Sequence, residues 1–415
     1  MKLTRTLMRR DQELLDFEVD SATGVVSSVR VLDESSLAQG IQALPSTRGK
    51  VTPESLARDV QYMIRRRSIH SLRIDLPNIL RATGTGSPVE LALGTHGLSL
   101  SDLYWYRSAG SRERWADVNF FDNGWDASFG EAVLRSDWDA LSRADREVPD
   151  VTCDGWARKA WVREGGAAYL LKGSHAYDTI DLVGELLAAR MLSRILGPFD
   201  YVHYEKVRRF GEDYIACPAM LRSDEELVPA SELLESDKAW ERDDASIRNS
   251  LVLKNFADVL ANLGVKNARQ AVSKELVAVT LTLNRDLHLA NFGVIHNVET
   301  GTNRASPLYD FGGAFCLGVR ADVIERAIIN PEFALLWMLR DFSELDPSWD
   351  YSWYNPRALE GFGEELEVTL DAVEGIPKGY PKLVRQAFEL QLGYVNETAE
   401  KSAPCLDLRE TESLA

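Results

Sequence analysis

The sequence contains few cysteines, and no two of them stand at a metal-binding spacing. Its four cysteines are scattered singly along 415 residues, so neither a zinc motif nor a disulfide framework is indicated. The first residues lack the apolar stretch of a signal peptide, and no apolar run is long enough to span a bilayer. We therefore expect a cytoplasmic protein without a membrane segment.

Basic residues are also in short supply. The chain has 47 Lys and Arg against 64 Asp and Glu, a net charge of −17, and most of this excess follows residue 150. Such a balance excludes a broadly basic surface, so direct binding to nucleic acid is not expected. A hydrophobic content of 45% is ordinary for a globular protein. The length is sufficient for two or three packed units.

One stretch of the sequence concentrates oxygen-bearing side chains. Asp286 and Asn291 are five residues apart, and Asp310 follows in an Asp-Phe-Gly triplet. Protein kinases use this order of residues to orient an acceptor hydroxyl and to hold Mg²⁺ against the phosphates of ATP. We predict that Asp286 is a catalytic base and that Asn291 and Asp310 are magnesium ligands, because Mg²⁺ prefers oxygen ligands.

A second set of candidate residues lies upstream. Two predicted strands, 160–163 and 168–172, are joined by a Glu-Gly-Gly turn and end at Lys172, and a predicted helix over 179–196 carries Glu185. A strand lysine followed by a helical glutamate is typical of a kinase small lobe, where the lysine binds phosphate oxygens and the glutamate holds the lysine. Cys217 and Met220 occupy the place in the chain where a hinge would contact adenine.

The remaining patterns predict a mixed chain that becomes mainly helical after residue 249. Thr52 is a natural N-cap for a helix that begins at Pro53 and runs to about residue 67. The charged segment 135–150 is predicted to be a linker. Further strands are predicted at 13–19, 25–32, 202–207, 213–217, 294–296 and 306–309, and further helices at 76–81, 88–93, 251–263, 272–283, 321–328, 333–340, 356–370 and 380–398.

These motifs resemble those of the HipA-like serine/threonine kinases, a bacterial family with a protein-kinase-like fold related to phosphatidylinositol kinases. The resemblance is carried by Asn-x-Asp-x-His-x-x-Asn-Phe at 284–292, by Pro-Leu-Tyr-Asp-Phe-Gly at 307–312, and by Gly-x3-Lys-Ala-Trp at 155–161 leading into Tyr-Leu-Leu-Lys-Gly at 169–173. The stretches at 67–70 and 119–123 resemble those of a branch whose members carry an extra N-terminal region.

The resemblance implies an α+β, two-lobe kinase fold with ATP and Mg²⁺ as cofactors and a protein as substrate. It implies an N-terminal α/β region at 1–148, a small lobe at 149–225, a helical large lobe at 226–400 and a polar tail at 401–415. Lys172 would be the ATP-phosphate lysine, and the loop at 151–155, with Gly155 and Lys159, would face the phosphates. Thr152 stands where such kinases carry an autophosphorylated serine, so we hypothesise an autoinhibitory phosphosite there.

Two other functions remain open at this point. The enzyme could phosphorylate a small molecule, or the chain could be a non-catalytic module that regulates a protein partner through residues 1–148. The intact set of Asp286, Asn291 and Asp310 argues against the second alternative. The N-terminal region does not match the one with which HipA meets its partner, so a toxin–antitoxin pairing with a DNA-binding antitoxin does not follow.

Overall fold

The computed structural model of the chain describes residues 1–34, 52–153, 155, 157–173, 180–234, 250–284, 287–330 and 345–402. The chain divides into two compact units. The first contains Met1–Leu182, Val202–Glu241 and Phe292–Pro307, and the second contains Val183–Tyr201, Arg242–Asn291 and Leu308–Ala415. No helix in the described ranges combines the length and the apolar character needed to cross a bilayer.

The strands of the described residues belong to the first unit and form three antiparallel sheets. Their orders are β3-β2-β1-β4, β5-β6-β8-β7 and β11-β10-β9. The strands are β1 (Lys2–Arg9), β2 (Gln12–Asp20), β3 (Val26–Val31), β4 (Tyr104–Ser108), β5 (Lys159–Glu164), β6 (Ala167–Lys172), β7 (Glu205–Arg209), β8 (Glu212–Pro218), β9 (Glu225–Pro229), β10 (Gly293–Asn297) and β11 (Asn303–Ala305).

Helices occur in both units. Short 3-10 helices cover Pro149–Thr152, Ala314–Cys316 and Pro356–Leu359. The α-helices are α1 (Pro53–Arg66), α2 (Leu76–Thr83), α3 (Pro88–Gly94), α4 (Trp115–Val118), α5 (Ser128–Arg135), α6 (Trp138–Leu141), α7 (Ile180–Ile195), α8 (Ala230–Leu233), α9 (Ser250–Asn262), α10 (Ala268–Leu281), α11 (Ala321–Ile329), α12 (Phe362–Asp371) and α13 (Tyr380–Ser402).

The N-terminal sheet packs one face against α1. The Thr52 hydroxyl accepts a hydrogen bond from the Ser55 N–H at 3.1 Å, and the Ser55 hydroxyl accepts one from the Thr52 N–H at 2.9 Å. This reciprocal cap satisfies two backbone donors and confirms the predicted start of α1. Apolar residues of the sheet and of α1 form the core between them, namely Leu7, Leu15, Phe17, Val19, Leu56, Val60 and Ile64.

Buried ion pairs join the elements of the first unit. Arg9 of β1 donates from Nε to Glu226 of β9 at 3.2 Å, and the Glu226 side chain is 2% exposed. Arg67, at the end of α1, is buried, pairs with Asp102 and donates to the Tyr104 carbonyl at 3.0 Å. Removing one partner of such a pair would leave a buried charge without compensation.

The core of the second unit is aromatic. The ring of Phe362 in α12 lies 5.3 Å from that of Phe388 in α13 and 6.4 Å from that of Phe315, centroid to centroid. All three side chains are fully buried. The Tyr380 hydroxyl, at the start of α13, donates to the Cys316 carbonyl at 2.5 Å. The long C-terminal helix is thus attached to the 3-10 turn that follows the Asp-Phe-Gly triplet.

Most predicted elements are present with shifted ends, but several predictions are wrong or incomplete. Strands β1, β4 and β9 were not predicted. In β1 and β9, the charged residues Arg9 and Glu226 interrupt the apolar pattern and are buried by pairing with each other. The strand expected at 306–309 lies instead at Asn303–Ala305. The helix expected over 356–370 is interrupted at Gly361, whose φ is 76°. The helix expected at 333–340 lies outside the described residues.

The segment predicted to be a linker is folded. It contains α6, and Leu141, Val148 and Val151 are buried in the same apolar cluster as Phe129 of α5. Residues on both sides of position 148 belong to this cluster. The predicted domain boundaries stay predictions.

Replacing Gly293 with alanine is expected to lower the melting temperature. A Cβ at this position would lie 2.2 Å from the Val228 carbonyl oxygen and 2.9 Å from the Pro229 Cα, so β9 and β10 would have to separate. Overpacking of this kind costs about 1–3 kcal/mol. Gly124→Ala is the control, because a Cβ there meets nothing within 4 Å. Equal melting temperatures for the two variants, measured by calorimetry, would contradict this prediction.

Candidate functional site

The predicted catalytic loop follows α10 in the second unit. Helix α10 ends at Leu281, and Leu283 then adopts a left-handed backbone with φ 52°. Asn284 is buried. Asp286 itself lies outside the described residues, so its role as catalytic base stays a prediction. The structure describes the loop again from Leu287.

A second segment, 309–316, lies beside this loop and is hydrogen-bonded to it at three places. The Phe315 N–H donates to the Thr282 carbonyl at 2.5 Å. The Asn284 amide donates to the Asp310 carbonyl at 3.4 Å. The Tyr309 hydroxyl donates to the Ala290 carbonyl at 2.7 Å. The segments that carry Asn291 and Asp310 are therefore fixed side by side, which the sequence order alone did not show.

The backbone of the second segment is strained. Asp310, Phe315 and Cys316 all have φ between 55° and 65°, a region that residues other than glycine seldom adopt. Aspartate tolerates this conformation better than most residues. Because such strain persists only where surrounding contacts impose it, the three hydrogen bonds and the burial of Phe315 account for the conformation.

The predicted magnesium ligands supply suitable atoms. The Asn291 amide oxygen and the Asp310 carboxylate are the hard oxygen donors that Mg²⁺ takes, usually one or two from protein with the rest from phosphates and water. Asn291 is 4% exposed, Asp310 is half-buried, and the Asn291 N–H donates to the His288 carbonyl at 2.9 Å. His288 also accepts from the Ala290 N–H at 3.2 Å, so this side chain supports the loop.

Glu185 lies on α7, close to the Asp-Phe-Gly segment of the same unit. Its Oε1 lies 3.8 Å from the position that a Cβ would take at Gly312. The neighbouring Gly184 lies against the same segment, because a Cβ there would be 3.3 Å from Leu317 and 3.7 Å from the Gly312 carbonyl oxygen. The prediction had treated Glu185 only as a partner for a lysine, and its packing against this segment was not anticipated.

The first unit holds the other predicted nucleotide-binding residues. Lys172 is the last residue of β6 and pairs in register with Lys159 of β5. Its amine lies 5.4 Å from the centroid of the Tyr204 ring. The Lys159 amine packs against Gly155, where a Cβ would approach it to 2.3 Å and φ is 102°. Only glycine adopts this backbone conformation without strain. The absence of a side chain at Gly155 leaves room for the Lys159 amine.

The predicted hinge residues follow the end of β8. Cys217 is buried opposite Leu170 of β6. The Ala219 N–H donates to the Ala168 carbonyl at 2.8 Å, which extends the pairing of the two strands beyond β8. Met220 is half-buried. A contact from these residues to adenine stays a prediction.

Thr152 is buried in the 3-10 turn that precedes Gly155. Its hydroxyl donates to the Leu98 carbonyl at 2.6 Å and lies 3.1 Å from the Pro149 carbonyl oxygen, and the residue is 6% exposed. Asp154, within the predicted phosphate-side loop, lies outside the described residues. Because the Thr152 hydroxyl is enclosed, its phosphorylation requires this turn to leave its position.

Asp150, two residues earlier, is a buried carboxyl that sequence reasoning missed. Its Oδ1 accepts from the Trp161 N–H at 2.9 Å, whereas its Oδ2 has no hydrogen-bond partner among the described residues. Burial raises the pKa of Asp150 to about 7, although the Trp161 N–H and the Arg73 charge favour the ionised form. Arg73 is itself buried and pairs with Asp75 at 2.8 Å. The only sequence signal was an aspartate next to Pro149.

Comparisons with known proteins show similarity at the level of structure. No family model and no curated protein matches the chain. Among solved structures, the chain is similar to the crystal structure of a Helicobacter pylori proinflammatory kinase, CtkA, with a TM-score of 0.42 and 13% sequence identity. The match covers 59% of this chain and 95% of that chain. A similarity at this level assigns no function to the chain.

Replacing Asp150 with asparagine is expected to stabilise the protein more at pH 8 than at pH 5. The folded protein holds a proton on Asp150 up to about pH 7, whereas an unfolded aspartate releases it near pH 4. Below about pH 4 the carboxyl is protonated in both states and does not destabilise the folded protein. As the pH rises from about 4 to 7, the unfolded state is favoured increasingly, so the wild type loses stability over this range. Asparagine keeps the acceptor for Trp161 without the charge.

The measurement is the melting temperature of Asp150→Asn relative to wild type across this pH range. The difference should increase by about 2 °C or more between pH 5 and pH 8. Asp139→Asn, at an exposed position of α6, should show no such trend. Parallel pH profiles for wild type and Asp150→Asn would show that the carboxyl is already ionised at pH 5.

Proposed function

We propose that the protein is an ATP- and Mg²⁺-dependent phosphotransferase that phosphorylates serine or threonine residues of a protein substrate. The observation that supports this function best is the hydrogen-bonded pairing of segment 309–316 with the loop that ends at Asn291. Motif order along a chain can arise by chance, but the pairing brings two predicted metal-binding segments together in one unit. That arrangement has the donor chemistry that phosphoryl transfer needs.

Asn291 and Asp310 would hold the metal ion in this proposal. When bound, Mg²⁺ would neutralise negative charge on the transferring phosphoryl group and orient it. Contacts of the backbone at both residues support this assignment. Asn291 is buried in a loop whose backbone is hydrogen-bonded to His288, and the Asp310 peptide is held by Asn284.

The other roles are assigned from sequence position. Asp286, five residues before Asn291, would accept the proton of the substrate hydroxyl. Lys172 would place a positive charge against phosphate oxygens, and Glu185 would support the Asp-Phe-Gly segment that it already packs against. Cys217 and Met220 would contact adenine through backbone groups. With these roles, the group that accepts the phosphoryl group from ATP would be an alcohol.

Replacing Asp286 with asparagine is expected to reduce phosphoryl transfer at least about 100-fold, because a general base contributes about 10²–10⁴ in rate. Nucleotide binding should persist, since the side chain acts on the acceptor. Wild type, Asp286→Asn and a control, Asp322→Asn, would be incubated with γ-labelled ATP, Mg²⁺ and a cell lysate. Asp322 is a helix residue whose side chain is 43% exposed and pairs with Arg320.

Label in acid-insoluble protein that depends on Asp286 would support the proposal. Label recovered only in small molecules would identify a small-molecule kinase instead. Nucleotide binding without any transfer would indicate a non-catalytic module. Equal transfer by wild type and Asp286→Asn would refute the assignment of the base.

Thr152 is expected to gain a phosphate when the protein is incubated with ATP, and the modified protein should be less active. A phosphate carries nearly two negative charges, and the Thr152 hydroxyl is enclosed against the Leu98 and Pro149 carbonyls, two residues after the buried Asp150. The phosphorylated turn would therefore be displaced. Intact-mass measurement should show the added phosphate in wild type and in Thr83→Ala, whose hydroxyl is also buried. Retention of that phosphate by Thr152→Ala would rule out this site.

A further inference from the structure

We propose that Tyr309 is a positioning residue that sets the placement of Asn291 relative to Asp310 and thereby the affinity of the site for Mg²⁺. This inference rests on the proposed function, and it adds a residue for which neither the motif nor the general kinase mechanism supplies a role. Tyr309 would not touch the metal ion, the nucleotide or the acceptor. It would act through the backbone, because Asn291 follows Ala290 and Asp310 follows Tyr309 in the chain.

The position of the Tyr309 hydrogen bond is the first argument. Tyr309 immediately precedes Asp310, and its acceptor, the Ala290 carbonyl, belongs to the peptide group that leads into Asn291. One hydrogen bond of 2.7 Å therefore connects the residues that immediately precede the two predicted ligands, through the Tyr309 side chain on one side and the Ala290 carbonyl on the other. Consecutive Cα atoms are about 3.8 Å apart, so each partner of this bond is adjacent in the chain to a predicted ligand, and we expect a change at the bond to alter the placement of both.

A second hydrogen bond between the same two segments, from Asn284 to Asp310, is longer than the Tyr309 bond. The Asn284 amide reaches the Asp310 carbonyl at 3.4 Å, which is long for an N–H to oxygen hydrogen bond. Asp310 also has a left-handed backbone with φ 65°, so its conformation needs support from its surroundings. The short Phe315–Thr282 bond lies five residues further along the chain. The Tyr309 hydrogen bond, at 2.7 Å, is shorter than this Asn284 contact.

The coordination chemistry of magnesium gives the inference a specific signature. Mg²⁺ requires near-ideal octahedral geometry at about 2.0–2.1 Å, whereas Ca²⁺ accepts flexible arrangements of six to eight oxygens at about 2.3–2.6 Å. Loosening the distance between Asn291 and Asp310 should therefore weaken Mg²⁺ binding more than Ca²⁺ binding. A general loss of folding stability would weaken the binding of Mg²⁺ and of Ca²⁺ to the same extent. Loss of an outer hydrogen bond commonly costs about 10–100-fold in metal affinity.

The test uses the Tyr309→Phe variant of the full chain, which keeps the ring and removes only the hydroxyl. Binding of a non-hydrolysable ATP analogue would be measured by calorimetry over a range of Mg²⁺ and, separately, Ca²⁺ concentrations. Tyr354→Phe is the matched control, because the Tyr354 hydroxyl donates to Asn396 at 2.8 Å within the same unit. Melting temperatures of both variants would verify that they are folded.

The expected result is about a 10-fold rise in the Mg²⁺ concentration needed for half-maximal binding by Tyr309→Phe, a smaller change with Ca²⁺, and wild-type behaviour of Tyr354→Phe. In an activity assay, saturating Mg²⁺ should restore kcat. Unchanged Mg²⁺ dependence, or equal losses with both cations, would overturn the inference while leaving the proposed function intact. Failure of the wild type to bind the analogue with Mg²⁺ would overturn the proposed function itself and this inference with it.

Discussion

The second unit depends on holding two chain segments side by side, and hydrogen bonds such as the one between the Tyr309 hydroxyl and the Ala290 carbonyl join them. Segment 309–316 would not readily adopt its conformation on its own, because Asp310 and Phe315 both have left-handed backbones. Tertiary contacts impose that strain. The aromatic core around Phe362 and the hydroxyl of Tyr380 secure the later part of the segment. The architecture of the candidate site is therefore a product of the whole unit.

The first unit uses buried charge for a comparable purpose. Arg9 and Glu226 join two sheets, and Arg67 joins the end of α1 to the loop around Asp102. Burial raises the pKa of Glu226 to about 7 in spite of the Arg9 charge. Such pairs add little net stability but strongly disfavour arrangements in which one partner is missing. They therefore specify how the N-terminal strands meet the rest of this unit.

The sequence predicted the elements whose signals are local. The hairpin that ends at Lys172 and the capped start of α1 needed only turn and capping residues near in sequence. Strands β1 and β9 were missed because Arg9 and Glu226 become core residues only through each other, more than 200 positions apart. For the site, the motif supplied the order of Asn291 and Asp310 but not the bond between Tyr309 and Ala290, since spacing carries no information on long-range contacts.

The location of Cys153 has a practical consequence. It directly follows Thr152 and is half-buried, whereas the described thiols of Cys217 and Cys316 are buried. In a Cys405→Ser background, a maleimide dye would therefore report chiefly on this one turn. Its labelling kinetics would follow the enclosed and displaced forms of the turn in real time, independently of any phosphate assay.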